Sequence, residues 1–94
     1  MGLLFEWDSE KAKRNFRKHG VSFDEASSIF ADAYSVTIDD PLHSAQEARL
    51  VTTGHSVKHR LLVVVHADRS NRIRIISARM ATRYERETYE EGEA

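Results

Sequence analysis

Ninety-four residues, 40% of them hydrophobic and 31% charged, fit one small globular domain spanning 1–94. The absence of cysteine excludes disulfides and thiolate metal sites, and a formal net charge of -1 excludes a protein that coats nucleic acid indiscriminately. The charge is uneven, though: residues 51–84 carry seven basic side chains against Asp68 alone, and residues 85–94 carry Arg86 against five glutamates.

Leu3, Phe5 and Trp7 alternate with Leu4 and Glu6, which predicts a short strand over 3–7. Asp8 is a good N-cap for a helix whose inner stripe is Ala12, Phe16 and His19, with Lys11, Lys13, Arg14, Arg17 and Lys18 over much of the remainder. Gly20 stops it. Ser22-Phe23-Asp24-Glu25 reads as a reciprocal capping box for a second helix to about residue 30. Tyr34, Val36 and Ile38 predict a strand over 34–38, closed by Asp39-Asp40-Pro41 and a polar loop over 40–47. Residues 48–54 alternate again. The run RLLVVVH at 60–66 predicts a strand covered on both faces. A turn at 67–71 leads to a strand over 72–78 and a closing helix over about 81–91. Regular alternation sets Ile73, Ile75, Ser77 and Arg79 on one face of that strand, and Arg72, Arg74, Ile76 and Ala78 on the other. The order predicts an α+β fold, with helices packed on one face of a small, mostly antiparallel sheet. The longest apolar run, LLVVV, is too short to span a membrane. The N-terminus shows no basic and long apolar leader, so a cytoplasmic protein without membrane contact is expected.

Candidate chemistry centres on arginine. Arg79 ends a strand next to a helix start, Arg74 lies in the same strand, and Arg49 opens a neighbouring one. Guanidinium groups offer planar, permanently charged forks that suit phosphate oxygens; the plainer reading is salt bridges with nearby carboxylates. His19 is the natural acid or base, or simply a partner of the last helix carbonyls. Glu85 and Tyr89 share a helix face, where Tyr84 or Tyr89 can pack on the sheet while Glu85 pairs with an arginine. His43, His55, His59 and His66 lack ligand spacing, so neither metal nor other cofactor is expected. No phosphate loop, serine elbow or cysteine nucleophile is present.

FEWD at 5–8, Asn15 with KHG at 18–20, VSFDEA at 21–26, Arg49 before an apolar strand, RIISAR with Ala81 at 74–81, then Glu85-Arg86 and Tyr89 resemble the BrnT toxins of type II toxin–antitoxin modules. The resemblance covers about residues 5–91, and its specificity lies in order and spacing. It implies a RelE-like fold, with two N-terminal helices, a mostly antiparallel sheet and a C-terminal helix. It also implies a ribonuclease that arrests translation and an antitoxin of BrnA type with a ribbon-helix-helix domain. In such a complex the toxin pairs, and operator DNA is contacted only through the antitoxin. His19, Arg49, Arg74, Arg79, Glu85 and Arg86 match the motif, without the match saying which is catalytic. The acidic tail after Tyr89 departs from it.

The expected chemistry is attack of the RNA 2′-OH on the adjacent phosphate without a metal. Arg49 and Arg79 would stabilise the phosphorane and His19 or Glu85 would move the proton. Lys18, Arg74, Arg86 and Tyr89 would hold phosphates. The alternative is a binding module whose basic sheet face docks a partner without turnover. The strands at 3–7 and 34–38 are the expected sheet edges for partner addition.

Overall fold

A computed structural model describes residues 2–40 and 47–93; most of the loop expected over 40–47, with His43, lies outside the described residues. In chain order the elements are β1 (Leu4–Glu6), α1 (Ser9–His19), α2 (Phe23–Ser27) continued by a 3₁₀ turn (Ser28–Ala31), β2 (Val36–Asp39), β3 (Leu50–His55), β4 (Leu61–Arg69), β5 (Arg72–Met80) and α3 (Arg83–Glu93). No described helix is long and apolar enough to cross a membrane.

The helix ends follow local chemistry. The Asp8 carboxylate accepts the Glu10 and Lys11 N–H groups at 2.8 and 3.1 Å, and Gly20 closes α1 at φ 69°. Ser22 caps α2 by accepting the Glu25 N–H at 3.0 Å. The expected return bond from Glu25 is replaced by another contact. Its carboxylate turns inward and takes the Ser56 hydroxyl at 2.7 Å and the Arg60 guanidinium at Nε (2.9 Å) and Nη2. A buried carboxylate needs a cation, and Arg60 is a stronger partner than a backbone amide.

The five strands form one mixed sheet in the order β1-β5-β4-β3-β2. Three pairings are antiparallel, whereas β1 runs parallel to β5, so the sheet is not purely antiparallel. A parallel neighbour requires a long crossover, and everything between β1 and β5 serves as one. β4 is central and buried over most of its length, as its continuous apolar run predicts. β1 and β2 are the two edges, as expected. The β4–β5 hairpin is tighter than expected. Only Ser70 and Asn71 lie between the strands, and Ser70 turns at φ 51°.

Two further expectations fail for identifiable reasons. The pairing of β4 with β5 slips between Val65 and His66, leaving Ile76 as an extra residue. This β-bulge reverses the alternation, so Ile75 and Ala78 both enter the core while Ile76, Ser77 and Arg79 line the opposite surface. Arg74 pairs with Glu6 one residue before Ile75 and therefore shares a face with Arg79, contrary to the regular alternation. The helices also do not share one face. α1 and α2 cover the core side, where Val21, Phe23, Ala26 and Ile29 meet Leu62, Val64, Ile75 and Ala78. α3 lies over the other side, above Val36, Ile38, Val51 and Val63, and runs past Gly92 to Glu93.

Asn15 joins the two layers. Its buried carboxamide donates to the carbonyls of Val21 (3.0 Å) and Ala78 (2.8 Å) and accepts the Ala78 N–H (3.1 Å). Asn15→Ala leaves three buried backbone groups without a partner and should cost roughly 2–4 kcal/mol, measured by chemical denaturation. A loss under about 0.5 kcal/mol would show that water replaces the side chain.

Candidate active site on the open face of the sheet

The bulge in β5 and the start of β3 put two cations on one surface. Arg49 immediately precedes β3, and Arg79 is the penultimate residue of β5. They line a cavity of about 340 Å³ together with Asp40 and Ser77, over a floor that includes Val51 and Val63. Sheet pairing explains the meeting: Val51 faces Val65 across β3–β4, and Val63 faces Arg79 across β4–β5.

Arg79 is held by α3. Its Nη1 and Nη2 donate to Glu85 Oε1 and Oε2 at 2.7 and 2.8 Å, a planar two-pronged contact. Glu85 also accepts the Thr82 N–H (2.8 Å), and the Thr82 hydroxyl accepts the Glu85 N–H (3.1 Å). The reciprocal capping box expected at 22–25 is thus found complete at 82–85. The guanidinium of Arg79, against a smaller opposing cost of burial, holds the Glu85 carboxyl down at about 2. The same hydrogen bonds push the Arg79 guanidinium further up. Both side chains remain about a third exposed or more, so an anion can reach the pair.

The other end of α3 is anchored through Tyr89. That residue is buried, and its hydroxyl lies 3.1 Å from Asp32 Oδ2 and 3.0 Å from the Tyr34 carbonyl oxygen. Asp32 is fixed in turn by the N–H groups of His55 (2.8 Å) and Tyr34 (2.9 Å). Tyr89 therefore ties the helix down, and its hydroxyl is engaged within the protein. Between α3 and the sheet lies a second, mostly apolar cavity of about 470 Å³ that shares Val51 and Val63 with the first.

The remaining candidates fall elsewhere. Arg74 lies on the open face but at the β1 side, 3.3 Å from Glu6, which also draws Arg69 and Arg72 to within 4.0 Å. Arg86 is half-buried in the first turns of α3. Lys18 and His19 are exposed at the end of α1, in the layer on the other side of the sheet from Arg79. Of the residues read as catalytic, Arg49, Arg79 and Glu85 come together and His19 does not. Sequence reasoning missed Asp40, a carboxylate at this cavity; it read as a turn residue before Pro41, and only the β2–β3 pairing carries it there. Among the described residues no group of three or more histidine or acidic side chains is arranged to hold a metal ion.

Over residues 7–85 the chain matches the family model described as the ribonuclease toxin BrnT of type II toxin–antitoxin systems. Its fold is similar to the 1.1 Å crystal structure of the Brucella abortus ribonuclease toxin BrnT. The TM-score is 0.64 at 21% identity, covering 87% of this chain and 100% of that one. No curated protein matches the sequence.

A carboxyl depressed on folding contributes stability that is present above its ordinary value of 4.5 and is lost as pH falls toward about 2. Amide protection along α3 should fall through that window. In Glu85→Gln it should already be weaker at neutral pH, with no acid step from this position. Equal protection in the two proteins would mean that the Arg79–Glu85 pair does not hold α3.

Proposed function

The chain belongs to the BrnT family of ribonuclease toxins of type II toxin–antitoxin systems, and on that premise we propose that it cleaves RNA on the open face of its sheet. The observation that carries this reading is the convergence of Arg49 and Arg79 on one cavity with carboxylates at its rim. RNA supplies its own nucleophile. The 2′-oxygen attacks the adjacent phosphorus, the P–O5′ bond breaks, and the products are a 2′,3′-cyclic phosphate and a 5′-hydroxyl.

The charge that builds on the phosphorane oxygens needs positive groups fixed beforehand, and two guanidinium groups at one cavity meet that need without a metal. Arg79 is the principal group and Arg49 the second. Glu85 is a positioning residue: while it holds Arg79 its two oxygens are engaged, and its low pKa makes it a weak base. The incoming phosphate competes with that carboxylate for the guanidinium. Asp40, across the cavity, then takes the 2′-OH proton and returns one to the 5′-oxygen. Arg74 and Arg86 hold flanking phosphates. His19 has no part in this step, because it stands in the other layer.

Cleavage of cellular RNA would inhibit translation in the cytoplasm. A cognate antitoxin of ribbon-helix-helix type would neutralise the toxin, with paired toxins in the complex and operator DNA contacted through the antitoxin alone. Support for a docked partner comes from the unpaired β2 edge beside the apolar cavity, where Val36 and Ile38 are more than half exposed. The RelE-like description of the fold belongs to the same reading.

Purified protein should cut total RNA in the presence of EDTA and leave cyclic phosphate ends. Arg79→Ala should lower the rate by on the order of 100-fold or more, by analogy with a lost oxyanion donor, and abolish growth arrest on induction. Full toxicity of Arg79→Ala would refute the site, and EDTA-sensitive cleavage would refute the metal-free route.

A further inference from the structure

The Arg79 cavity leaves one charge cluster unexplained. Lys11, Lys13, Arg14, Arg17 and Lys18 all lie within eight residues of α1, and all five are exposed. At about 100° per residue they fall in one arc of about 160°, with Glu10 at its N-terminal end and no apolar side chain within it. Ala12 and Asn15 occupy the inward side. Among the described residues, only Lys13 has a carboxylate within ion-pair distance, Glu10 at 3.4 Å.

This pattern opposes helix stability. Lys11 with Arg14, Lys13 with Arg17, Arg14 with Arg17 and Arg14 with Lys18 are like-charged pairs at the spacing where side chains meet. The helix dipole accounts for Arg17 and Lys18 in the last turn. It does not account for Lys11 and Lys13, which sit near the positive end. An arc without an apolar centre also lacks what a protein interface is built around. A convex band of cations, only one of them in an ion pair among the described residues, extending about 10 Å along the axis at 1.5 Å per residue, instead suits an array of phosphates.

Resting on the reading above that RNA is the substrate, we propose that the outer face of α1 is a second RNA-backbone surface. It holds double-stranded regions of the RNA whose single-stranded segment lies on the open face. The sheet separates the two surfaces, so one phosphate cannot use both. Duplex RNA is recognised through phosphates and shape, which fits the convex, charged arc; the cavity of about 370 Å³ at its margin, where Lys13 and Arg17 meet Trp7 and Phe16, lies beside that arc.

The test compares the parent protein with Lys11→Gln/Arg14→Gln/Arg17→Gln, changes that preserve helix propensity. Three RNAs serve as probes: a duplex of about 20 base pairs, a short single strand, and a hairpin cleaved in its loop. The triple variant should bind the duplex about tenfold or more weakly at ~0.1 M salt, with a salt slope reduced by about 2–3. It should cut the short strand at the parental rate and the hairpin more slowly. Arg79→Ala should show the reverse, keeping duplex binding and losing cleavage. Equal duplex binding by parent and triple variant would overturn the proposal. So would parental binding of duplex DNA as tight as that of duplex RNA, or loss of single-strand cleavage in a triple variant with parental melting temperature. If the triple variant melts early, Lys11→Gln alone must still reduce the slope by about 1. α1-dependent duplex binding by a parent that cuts no RNA would refute the cleavage reading and leave this surface standing.

Discussion

The carboxamide of Asn15 is the contact on which the geometry of the sheet depends. β1 accompanies β5 only from Arg72 to Arg74, so the outer edge of β5 beyond that point has no neighbouring strand. At Ala78 that edge is completed by one side chain, which satisfies both the N–H and the carbonyl and reaches the Val21 carbonyl as well. Buried backbone groups require partners, and a strand edge under a helix layer has no water to supply them. Asn15 thereby fixes β5 just beyond the bulge at Ile76. The residue that follows Ala78 is Arg79, whose direction is set by that fixed backbone.

Pairing sorts the arginines by what can displace their partners. Arg60 is bound to Glu25, which is 2% exposed, and also donates to the Gly20 carbonyl at 3.1 Å. Removing that cation would strand a carboxylate in the core, so the pair is structural. Arg72 and Arg74 share Glu6 on the parallel edge strand, and Arg69 lies at 3.9 Å from it while bound more closely to Glu47 at 3.0 Å. Arg79 is bound to Glu85, 33% exposed, at the start of a helix that crosses the open face. A solvated carboxylate can be exchanged for a phosphate at little desolvation cost, whereas a buried one cannot. The same two-pronged geometry therefore serves fold stability at Arg60, whereas at Arg79 it leaves the pair within reach of solvent.

Much of the architecture was legible because it is local. Asp8, Gly20 and Ser22 mark helix ends through their own side chains or φ preferences, and the LLVVV run marks the central strand through burial on both faces. Arg49, Arg79 and Glu85 were legible as neighbours because they stand at strand ends and a helix start, although the face that Arg79 takes depends on the bulge. What escaped depends on partners distant in sequence. Glu25 read as a cap and became the partner of Arg60, 35 residues away. Asp40 read as a turn and reached the cavity through sheet pairing. The bulge at Ile76 left no trace in IRIISAR, since its residues alternate acceptably in either register. The parallel placement of β1 was hidden because three residues carry no sign of strand direction.

The bulge also explains how the end of β5 carries a cation on the face away from α1 and α2. With regular alternation, Arg79 would point with Ile75 toward α1 and α2, and Ala78 would face outward. A guanidinium there would sit among Val21, Phe23, Ala26 and Ile29, far from any carboxylate that the helices offer inside the core except Glu25, which Arg60 already holds. One inserted residue moves that cation to the surface and returns Ala78 to the core, at the cost of a single irregular step in the ladder. The core is preserved on one side of β5 while arginines accumulate on the other. α3 then crosses the open face with one end on Arg79 and the other on Asp32, and so brings the one carboxylate that orients Arg79 without burying it.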